Sequence, residues 1–137
     1  MLSLHTILHP TDFSERSDHA FRYACALARD HGARLIVLHV MPIPLTDKKR
    51  GYREEMAGEL DRLAAPDPKI HLKRRLEEGD PVAQILRVAH ETGCDLIVLG
   101  THGRTGLDRL LMGSVAEQVL RLASCPVLTV KVPFSRS

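Results

Sequence analysis

The chain has 137 residues, 44% of them hydrophobic and 26% charged, with a net charge of +2 when the histidines are neutral. These values are typical of a globular protein, and the length predicts one domain covering residues 1–137. The small net charge and the aromatic content of 4% disfavour a nucleic-acid-binding surface, and no run approaches the ~18 consecutive apolar residues of a membrane helix.

Short apolar runs that predict strands alternate with longer segments whose apolar residues recur at helical spacing. In chain order the sequence predicts a strand over 5–9, a helix over 14–31, a strand over 34–40 and a helix over 48–64. A strand over 69–76, a helix between Asp80 and Gly93, and a strand over 95–100 follow. The last two elements are a helix from Ser114 to before Pro126 and a strand over 126–132. In the last helix we expect Val115, Val119, Leu120 and Leu122 to face inward.

This alternation predicts an α/β fold, in which helices cover both faces of an open parallel sheet. The second and fourth strands, LIVLHV and DLIVLG, are apolar nearly throughout, which is typical of central strands. The third strand, KIHLKRRL, is polar and alternating, so we expect it at an edge. Ligands of such sheets bind beyond the carboxyl ends of the strands, where the strand order reverses. The segments HPTDFS, VMPIP, EEGDP and GTHGRTGLDRLLMGS leave those ends.

The last of these segments, residues 100–114, has the composition of a phosphate-binding loop. It contains no glycine followed by Lys-Ser or Lys-Thr, and its glycine spacing differs from that of the dinucleotide fingerprint. Gly100 and Gly103 would still let backbone N–H groups approach an anion, and the helix that opens at Gly113-Ser114 would favour negative charge at its N-terminus. Ser114 and Glu117 also form an S-x-x-E capping box, which requires no ligand. Both interpretations of Ser114 stay open.

Asp12 follows the first strand, beside the expected point of strand reversal. Its carboxylate could accept a hydrogen bond from a ribose hydroxyl or hold a magnesium ion bound to phosphates. The alternative is a loop residue that leads into the first helix, with Ser14 as the nearer helix cap. His102, in the glycine segment, could likewise contact a phosphate or a sugar, or have no ligand.

The glycine segment has the spacing Gly100-x-x-Gly103, nine residues, then Gly113-Ser114. This spacing resembles the G-2x-G-9x-G-(S/T) motif of the universal stress protein family. ILHPTDFSERSDHAFRYACALA resembles the first strand and helix of that family, LIVLHV its second strand, and DLIVLGTHGRTGLDRLLMGSVAEQVLRLASCPVLTVK its C-terminal signature. The resemblance covers nearly the whole chain and is weakest between residues 46 and 76.

The resemblance implies a Rossmann-like sheet of five parallel strands in the order 3-2-1-4-5. Because every motif position is kept, it also implies the branch of the family that binds ATP, with Mg²⁺ accompanying the nucleotide and Asp12 as its candidate protein ligand. The loop after the first strand would border the adenosine, and the glycine motif would lie along the ribose and phosphates. The implied nucleotide-binding residues are Pro10, Thr11, Asp12, Val40, Leu99, Gly100, His102, Gly103, Arg104, Gly113, Ser114 and Val115.

Three other functions compete with nucleotide binding. A phosphoacceptor receiver domain would need clustered acids beyond the first strand and an aspartate at the end of the third, whereas the chain has one acid, Asp12, beyond the first strand and no aspartate where KRRLEEG ends. A hydrolase is disfavoured because no G-x-S-x-G elbow is present, although slow ATP hydrolysis or autophosphorylation at Ser114 or Thr105 stays open. An interaction protein that has lost its ligand is disfavoured by the intact glycine positions. We therefore expect a stress-response regulator in which bound ATP sets a conformational or partner-binding state.

Location and assembly follow from two further features. Cys25, Cys94 and Cys125 are well separated, which indicates free thiols in a reducing compartment, and the N-terminus lacks a signal-peptide pattern. We therefore expect a cytoplasmic protein. The strand over 126–132 would lie at a sheet edge with unpaired backbone groups, which predicts a homodimer through this strand; the resemblance points the same way.

Overall fold

The computed structural model describes residues 3–42, 49–102 and 114–132. Within these ranges the strands are β1 (Thr6–Pro10), β2 (Arg34–Met41), β3 (His71–Glu78), β4 (Leu96–His102) and β5 (Val127–Val132). The helices are α1 (Glu15–His31), α2 (Lys49–Arg62), α3 (Pro81–Thr92) and α4 (Ser114–Leu122). All strand pairs are parallel, in the order β3-β2-β1-β4-β5. The predicted fold class and strand order are confirmed.

The ends of α1 and α3 lie where the sequence predicts them. Ser14 caps α1 by accepting a hydrogen bond from the backbone N–H of Ser17 at 3.2 Å, and Asp80 caps α3 in the same way, with Pro81 in the first turn. Gly32 and Gly93 end these helices with φ angles of 63° and 62°. This left-handed conformation suits glycine because it has no Cβ.

Two apolar cores lie on opposite faces of the sheet, because successive side chains of a strand point to opposite sides. On β2, Leu35 and Val37 face the core beneath α1 and α2, whereas Ile36 and Leu38 face the core beneath α3 and α4. All four side chains are at most 1% exposed. The sheet is therefore covered by helices on both faces, as predicted, and its central strands are buried.

The fourth helix differs from its sequence prediction. It ends at Leu122, and Leu120 and Leu122 are each 54% exposed, so the expectation that both face inward is wrong. Ala116 and Val119 are the buried residues of α4, and Val115 packs against the same core. Because this nine-residue helix covers the sheet near its β5 edge, only a narrow stripe of it meets the core.

The boundaries of β3 and β4 also differ from those predicted. β3 begins two residues later than expected, at His71, and forms one edge of the sheet, as its polar pattern indicates. β4 extends through Thr101 and His102, which the sequence analysis placed in the glycine segment. Both residues pair with β5, opposite Lys131 and Val132, and this pairing extends the strand.

β5 forms the second edge of the sheet. Its Val130 is buried at 7% exposure, whereas Leu128, on the same face, is 38% exposed. Within the described ranges, no helix is both long enough and apolar enough to cross a membrane.

Candidate functional site

A cavity of about 180 Å³ lies at the carboxyl ends of β1, β2 and β4. The structure brings seven of the predicted site residues together around it: Pro10, Thr11, Asp12, Val40, Leu99, Gly100 and Val115. Among the described residues, Ser17, Leu38, His39, Pro81 and Ile85 also line it. The cavity therefore lies beside the point between β1 and β4 where the strand order reverses, as expected for a ligand site in this architecture.

The register of the central strands fixes the position of the loop after β1. Pro10 pairs with Leu38 of β2, and the backbone N–H of Thr11 donates to the Leu38 carbonyl at 2.8 Å. The loop from Thr11 to Ser14 therefore begins beside the end of β2 and turns into α1. This geometry brings Asp12 to the cavity.

The Asp12 carboxylate is fixed by local hydrogen bonds. Its Oδ1 accepts from the backbone N–H of Ser14 at 3.0 Å and from the Ser17 hydroxyl at 2.7 Å, while Oδ2 lies 3.9 Å from the Arg16 guanidinium. Burial by itself would raise the pKa of Asp12, but the hydrogen bonds from Ser14 and Ser17 and the charge of Arg16 lower it overall. The side chain stays 33% exposed, so an ionised carboxylate borders the cavity.

Phe13 adopts an uncommon backbone conformation beside this carboxylate. Its φ angle is 66°, in the left-handed region that side chains with a Cβ rarely occupy. The Phe13 N–H donates to the Thr11 hydroxyl at 3.0 Å, and the Phe13 ring lies 4.6 Å from the ring centre of His39. Loop hydrogen bonds and ring packing together hold the strained residue, as is common where a loop shapes a ligand site.

His39 lies at the end of β2 and is 8% exposed. Its Nδ1 lies 2.8 Å from the Thr11 carbonyl, which can only accept, so Nδ1 carries the proton. Burial lowers the pKa of His39, and the neutral ring leaves Nε2 as an acceptor. Within the described part of the chain this buried nitrogen has no hydrogen-bond partner. His39 thus lines the cavity as a neutral ring fixed to the Thr11 carbonyl.

Gly100 has a packing role that the sequence analysis did not identify. A Cβ at this position would lie 2.2 Å from the carbonyl oxygen of Arg16 and 2.7 Å from its carbon. β4 therefore passes against the backbone of the first turn of α1. The predicted reason for this glycine was close approach to an anion, but contact with α1 by itself accounts for the missing side chain.

The glycine motif is described only in part. Ser114 is the first residue of α4, which puts the N-terminus of this helix next to Val115 on the cavity wall. Gly103, Arg104 and Gly113 lie outside the described residues. His102 belongs to β4, but its side chain also lies outside the described part.

The prediction of a metal ion at Asp12 stays untested. Among the described residues, no group of three or more His, Cys, Asp or Glu side chains could hold a metal ion. Asp12 could therefore contribute only one ligand to an ion brought by a nucleotide.

Sequence reasoning missed His39 and Ser17 as lining residues. His39 lies within an apolar run, where a histidine is easily assigned to the core, and Ser17 lies inside a predicted helix. Their positions depend on the pairing of β1 with β2 and on the turn at Phe13. Pro81 did have a signal, because the segment EEGDP was expected to leave the carboxyl end of β3.

Known proteins share both the sequence and the fold of this chain. A profile of the universal stress protein family matches residues 3–131. Universal stress protein MJ0531 of Methanocaldococcus jannaschii is 34% identical over 93% of this chain and 82% of its own length. A crystal structure of a protein from the universal stress protein family from Burkholderia pseudomallei is 33% identical, with a TM-score of 0.75 over 94% of this chain and 97% of that one.

A crystal structure of a universal stress protein in complex with cAMP is 26% identical to this chain. Its TM-score is 0.66, over 94% of this chain and 98% of that one. The family profile covers most of the sequence, and the matched structures share the fold. The chain belongs to the universal stress protein family.

Proposed function

We propose that this protein binds an adenine nucleotide, ATP accompanied by Mg²⁺, in the cavity at the carboxyl ends of β1, β2 and β4. One observation carries the proposal: predicted nucleotide-binding residues from four separate segments converge on this cavity. The wall combines apolar side chains with a few fixed polar groups, a pattern typical of small-molecule sites. The apolar residues that would pack against the base are Leu38, Val40, Ile85, Leu99 and Val115.

The polar groups of the cavity match the hydrogen-bond donors of an adenosine. The ionised Asp12 carboxylate would accept a hydrogen bond from a ribose hydroxyl at Oδ2, which the bonds from Ser14 and Ser17 do not use and which lies 3.9 Å from the Arg16 guanidinium. The neutral His39 ring lines the same cavity. The Asp12 carboxylate would disfavour an anion at this end, which favours placing the base and sugar here and the phosphates elsewhere.

The size of the cavity supports the same orientation. Its 180 Å³ is less than the roughly 300–1,000 Å³ of most ligand pockets, so it suits the nucleoside part of the ligand. The triphosphate would extend towards the N-terminus of α4 at Ser114. We also assign the glycine-motif residues Gly103, Arg104 and Gly113 to the phosphates, on the resemblance alone. A helix N-terminus stabilises phosphate through its free N–H groups and its dipole. The related structure with cAMP supports an adenine nucleotide as the ligand class.

The biological role that we propose is regulation of a stress response in the cytoplasm. Bound nucleotide would set the conformation of the protein or its affinity for a partner, because a ligand shifts an equilibrium towards the state that it binds more tightly. The edge strand β5 would pair with β5 of a second copy. Its exposed Leu128 and its place at the edge of the sheet support such pairing.

Calorimetric titration tests the nucleotide proposal. We expect saturable binding of ATP in the presence of Mg²⁺, weaker binding of GTP if the site is specific for adenine as proposed, and an unchanged nucleotide after long incubation. The absence of heat at millimolar ATP would refute the proposal. Steady phosphate release together with normal binding would instead assign the protein to the enzymes.

Sedimentation at tens of micromolar protein tests the dimer. We expect wild type to sediment as a dimer and Leu128→Asp as a monomer, because a buried unpaired charge at the interface is unfavourable. Lys73→Asp, on the exposed β3 edge, is the matched control and should stay dimeric. A wild-type monomer at these concentrations would contradict the dimer and leave the nucleotide proposal intact.

A further inference from the structure

Two cysteine side chains lie in contact at the amino ends of neighbouring strands. The Sγ atoms of Cys94 and Cys125 are 3.7 Å apart, although the residues are 31 positions apart in the chain. Cys94 follows the glycine that ends α3, and its N–H donates to the Ala89 carbonyl at 3.1 Å. Cys125 lies just before β5. Both therefore lie at the opposite end of the sheet from the cavity.

Strand pairing holds the two turns together. Ile97 of β4 pairs with Val127 of β5, and the Ile97 N–H donates to the Pro126 carbonyl at 3.0 Å. Closing the sulfur contact to a disulfide length needs the sulfur atoms to approach by roughly 1.7 Å. Both cysteines precede the strands they adjoin, so side-chain rotation with small shifts of the turns can supply that movement.

We propose that Cys94 and Cys125 form a reversible intramolecular disulfide when the protein meets an oxidising small-molecule disulfide. The Cys125 thiolate attacks one sulfur of the reagent, which forms a mixed disulfide and releases one thiolate. Cys94 then gives up its proton and attacks Sγ of Cys125, which forms the protein disulfide and releases the second thiolate. Two cysteine thiols are oxidised by two electrons, and one reagent disulfide is reduced to two thiols.

Burial determines which thiol reacts first. Cys94 is 7% exposed, whereas Cys125 is partly exposed. Burial and, to a lesser extent, the neighbouring Cys125 together raise the pKa of Cys94 to about 12. An external disulfide therefore meets Cys125 first, and Cys94 acts as the resolving thiol. The short distance between the two sulfur atoms offsets the low fraction of Cys94 thiolate.

The remaining cysteine provides an internal control. Cys25 lies on α1 in the core on the other face of the sheet, and burial raises its pKa to about 11. It has the same chemical type and is similarly buried, but it packs in a different core from Cys94 and Cys125. We expect it to stay a free thiol when the other two are oxidised.

Glutathione disulfide is the probe for the experiment. The full-length protein is incubated with it, the free thiols are blocked, and peptides are identified by mass spectrometry without reduction. We expect a mass loss of about two hydrogens, one peptide pair that joins Cys94 to Cys125, and reversal by dithiothreitol. The bond closes a loop that holds β4 and α4, so oxidised protein should melt about 5 to 10 °C higher than reduced protein.

Single substitutions test the order of attack. Cys94→Ser should accumulate one glutathione adduct on Cys125, Cys125→Ser should react much more slowly, and Cys25→Ala should form the bond like wild type. Three outcomes would overturn the proposal: no mass loss in wild type, a stable adduct on Cys125 without closure, or a bond between two molecules. Wild-type peptide mapping decides the question even if a variant folds poorly.

Discussion

Two aspartates at opposite ends of the sheet accept similar hydrogen bonds, but only one of them lines the cavity. Asp12 follows β1 at the carboxyl end, and its Oδ1 accepts from the Ser14 N–H and the Ser17 hydroxyl. Asp95 precedes β4 at the amino end, and its Oδ2 accepts from the N–H groups of His5 at 2.8 Å and Thr6 at 3.0 Å. The hydrogen bonds from His5 and Thr6 lower the pKa of Asp95. Burial by itself would raise the pKa of Asp12, but its hydrogen bonds from Ser14 and Ser17 and the charge of Arg16 lower that pKa overall.

The difference between the two aspartates lies in what adjoins them. Asp95 ties the start of β1 to the start of β4 and does not line the cavity, whereas Asp12 does. A carboxylate with a lowered pKa is therefore as consistent with scaffolding as with ligand binding. Position at the carboxyl end of the sheet separates the two roles.

The largest effect is expected at Gly100, where the carboxyl end is most tightly packed. In Gly100→Ala the added Cβ would lie 2.2 Å from the Arg16 carbonyl oxygen, a backbone atom that cannot rotate away. We expect the free energy of unfolding to fall by about 3 kcal/mol, at the upper end for overpacking. Urea denaturation measures this loss from the shift in midpoint at constant slope.

Gly58→Ala is the matched control for this substitution. Gly58 lies inside α2, and a Cβ there would meet no atom within 4 Å. Alanine favours helix over glycine, so the free energy of unfolding should rise by about 0.5 to 1 kcal/mol. Equal stability of Gly100→Ala and wild type would show that α1 and β4 are farther apart than described.

The second prediction concerns acid stability, to which His9 contributes from the middle of the sheet. His9 is fully buried, and its Nδ1 donates to the Val98 carbonyl at 2.9 Å. Burial lowers the pKa of His9 from 6.5 to about 4. Between these values the unfolded chain binds the proton more readily, so stability falls as the pH drops from 6.5 towards 4. The loss at pH 4 is about 3 kcal/mol.

His9→Gln tests this dependence. Glutamine keeps a donor for the Val98 carbonyl but does not titrate, so the slope of stability against pH between 4 and 6.5 should flatten. Burial also lowers the pKa of His39, so a smaller slope should persist. His71→Gln, an exposed position at the start of β3, should keep the wild-type slope. An unchanged slope in His9→Gln would contradict the assignment.

The third prediction separates the two aspartates directly. Asp12→Ala and Asp95→Ala each remove an acceptor of two hydrogen bonds, so each should lower the free energy of unfolding by about 1 to 2 kcal/mol. Only Asp12→Ala should weaken ATP binding, by about 10- to 100-fold, because it also loses the acceptor for the ribose. Thermal melting and calorimetry give the two quantities. Equal affinities in the two variants would show that Asp12 is a scaffold residue as well.

The fold was largely predictable from sequence because its signals are local. Alternating apolar runs, Asp80-Pro81, and the glycines after α1 and α3 locate the elements without any tertiary information. The strand order came from the family resemblance, since periodicity does not show which strands pair. The exposed Leu120 and Leu122 show a limit of such patterns: apolar spacing predicts a face, but the neighbouring layer decides how much of it is covered.

The residues of the candidate site that follow the ends of strands along the chain could be predicted from the sequence. Those whose position depends on how neighbouring strands pair could not. Asp12 and Val115 follow from the carboxyl-end rule and the glycine motif. His39 and Ser17 do not, because their place beside Asp12 depends on the pairing of Pro10 with Leu38 and on the turn at Phe13. These contacts arise only in the assembled sheet.

The smallest effect is expected at Ser17, which holds Asp12 in place from within α1. Its hydroxyl donates to Asp12 Oδ1 at 2.7 Å and accepts from the Asp12 N–H at 3.2 Å. Ser17→Ala should lower the free energy of unfolding by about 1 kcal/mol, raise the pKa of Asp12 and weaken ATP binding a few-fold, mostly at low pH. Thr92→Val removes a similar hydroxyl bond, to the Val88 carbonyl at 2.8 Å, far from the cavity. Thr92→Val should lower the free energy of unfolding without changing the affinity for ATP. An equal loss of affinity in both variants would mean that ATP binding depends on stability alone and not on the position of the Asp12 carboxylate.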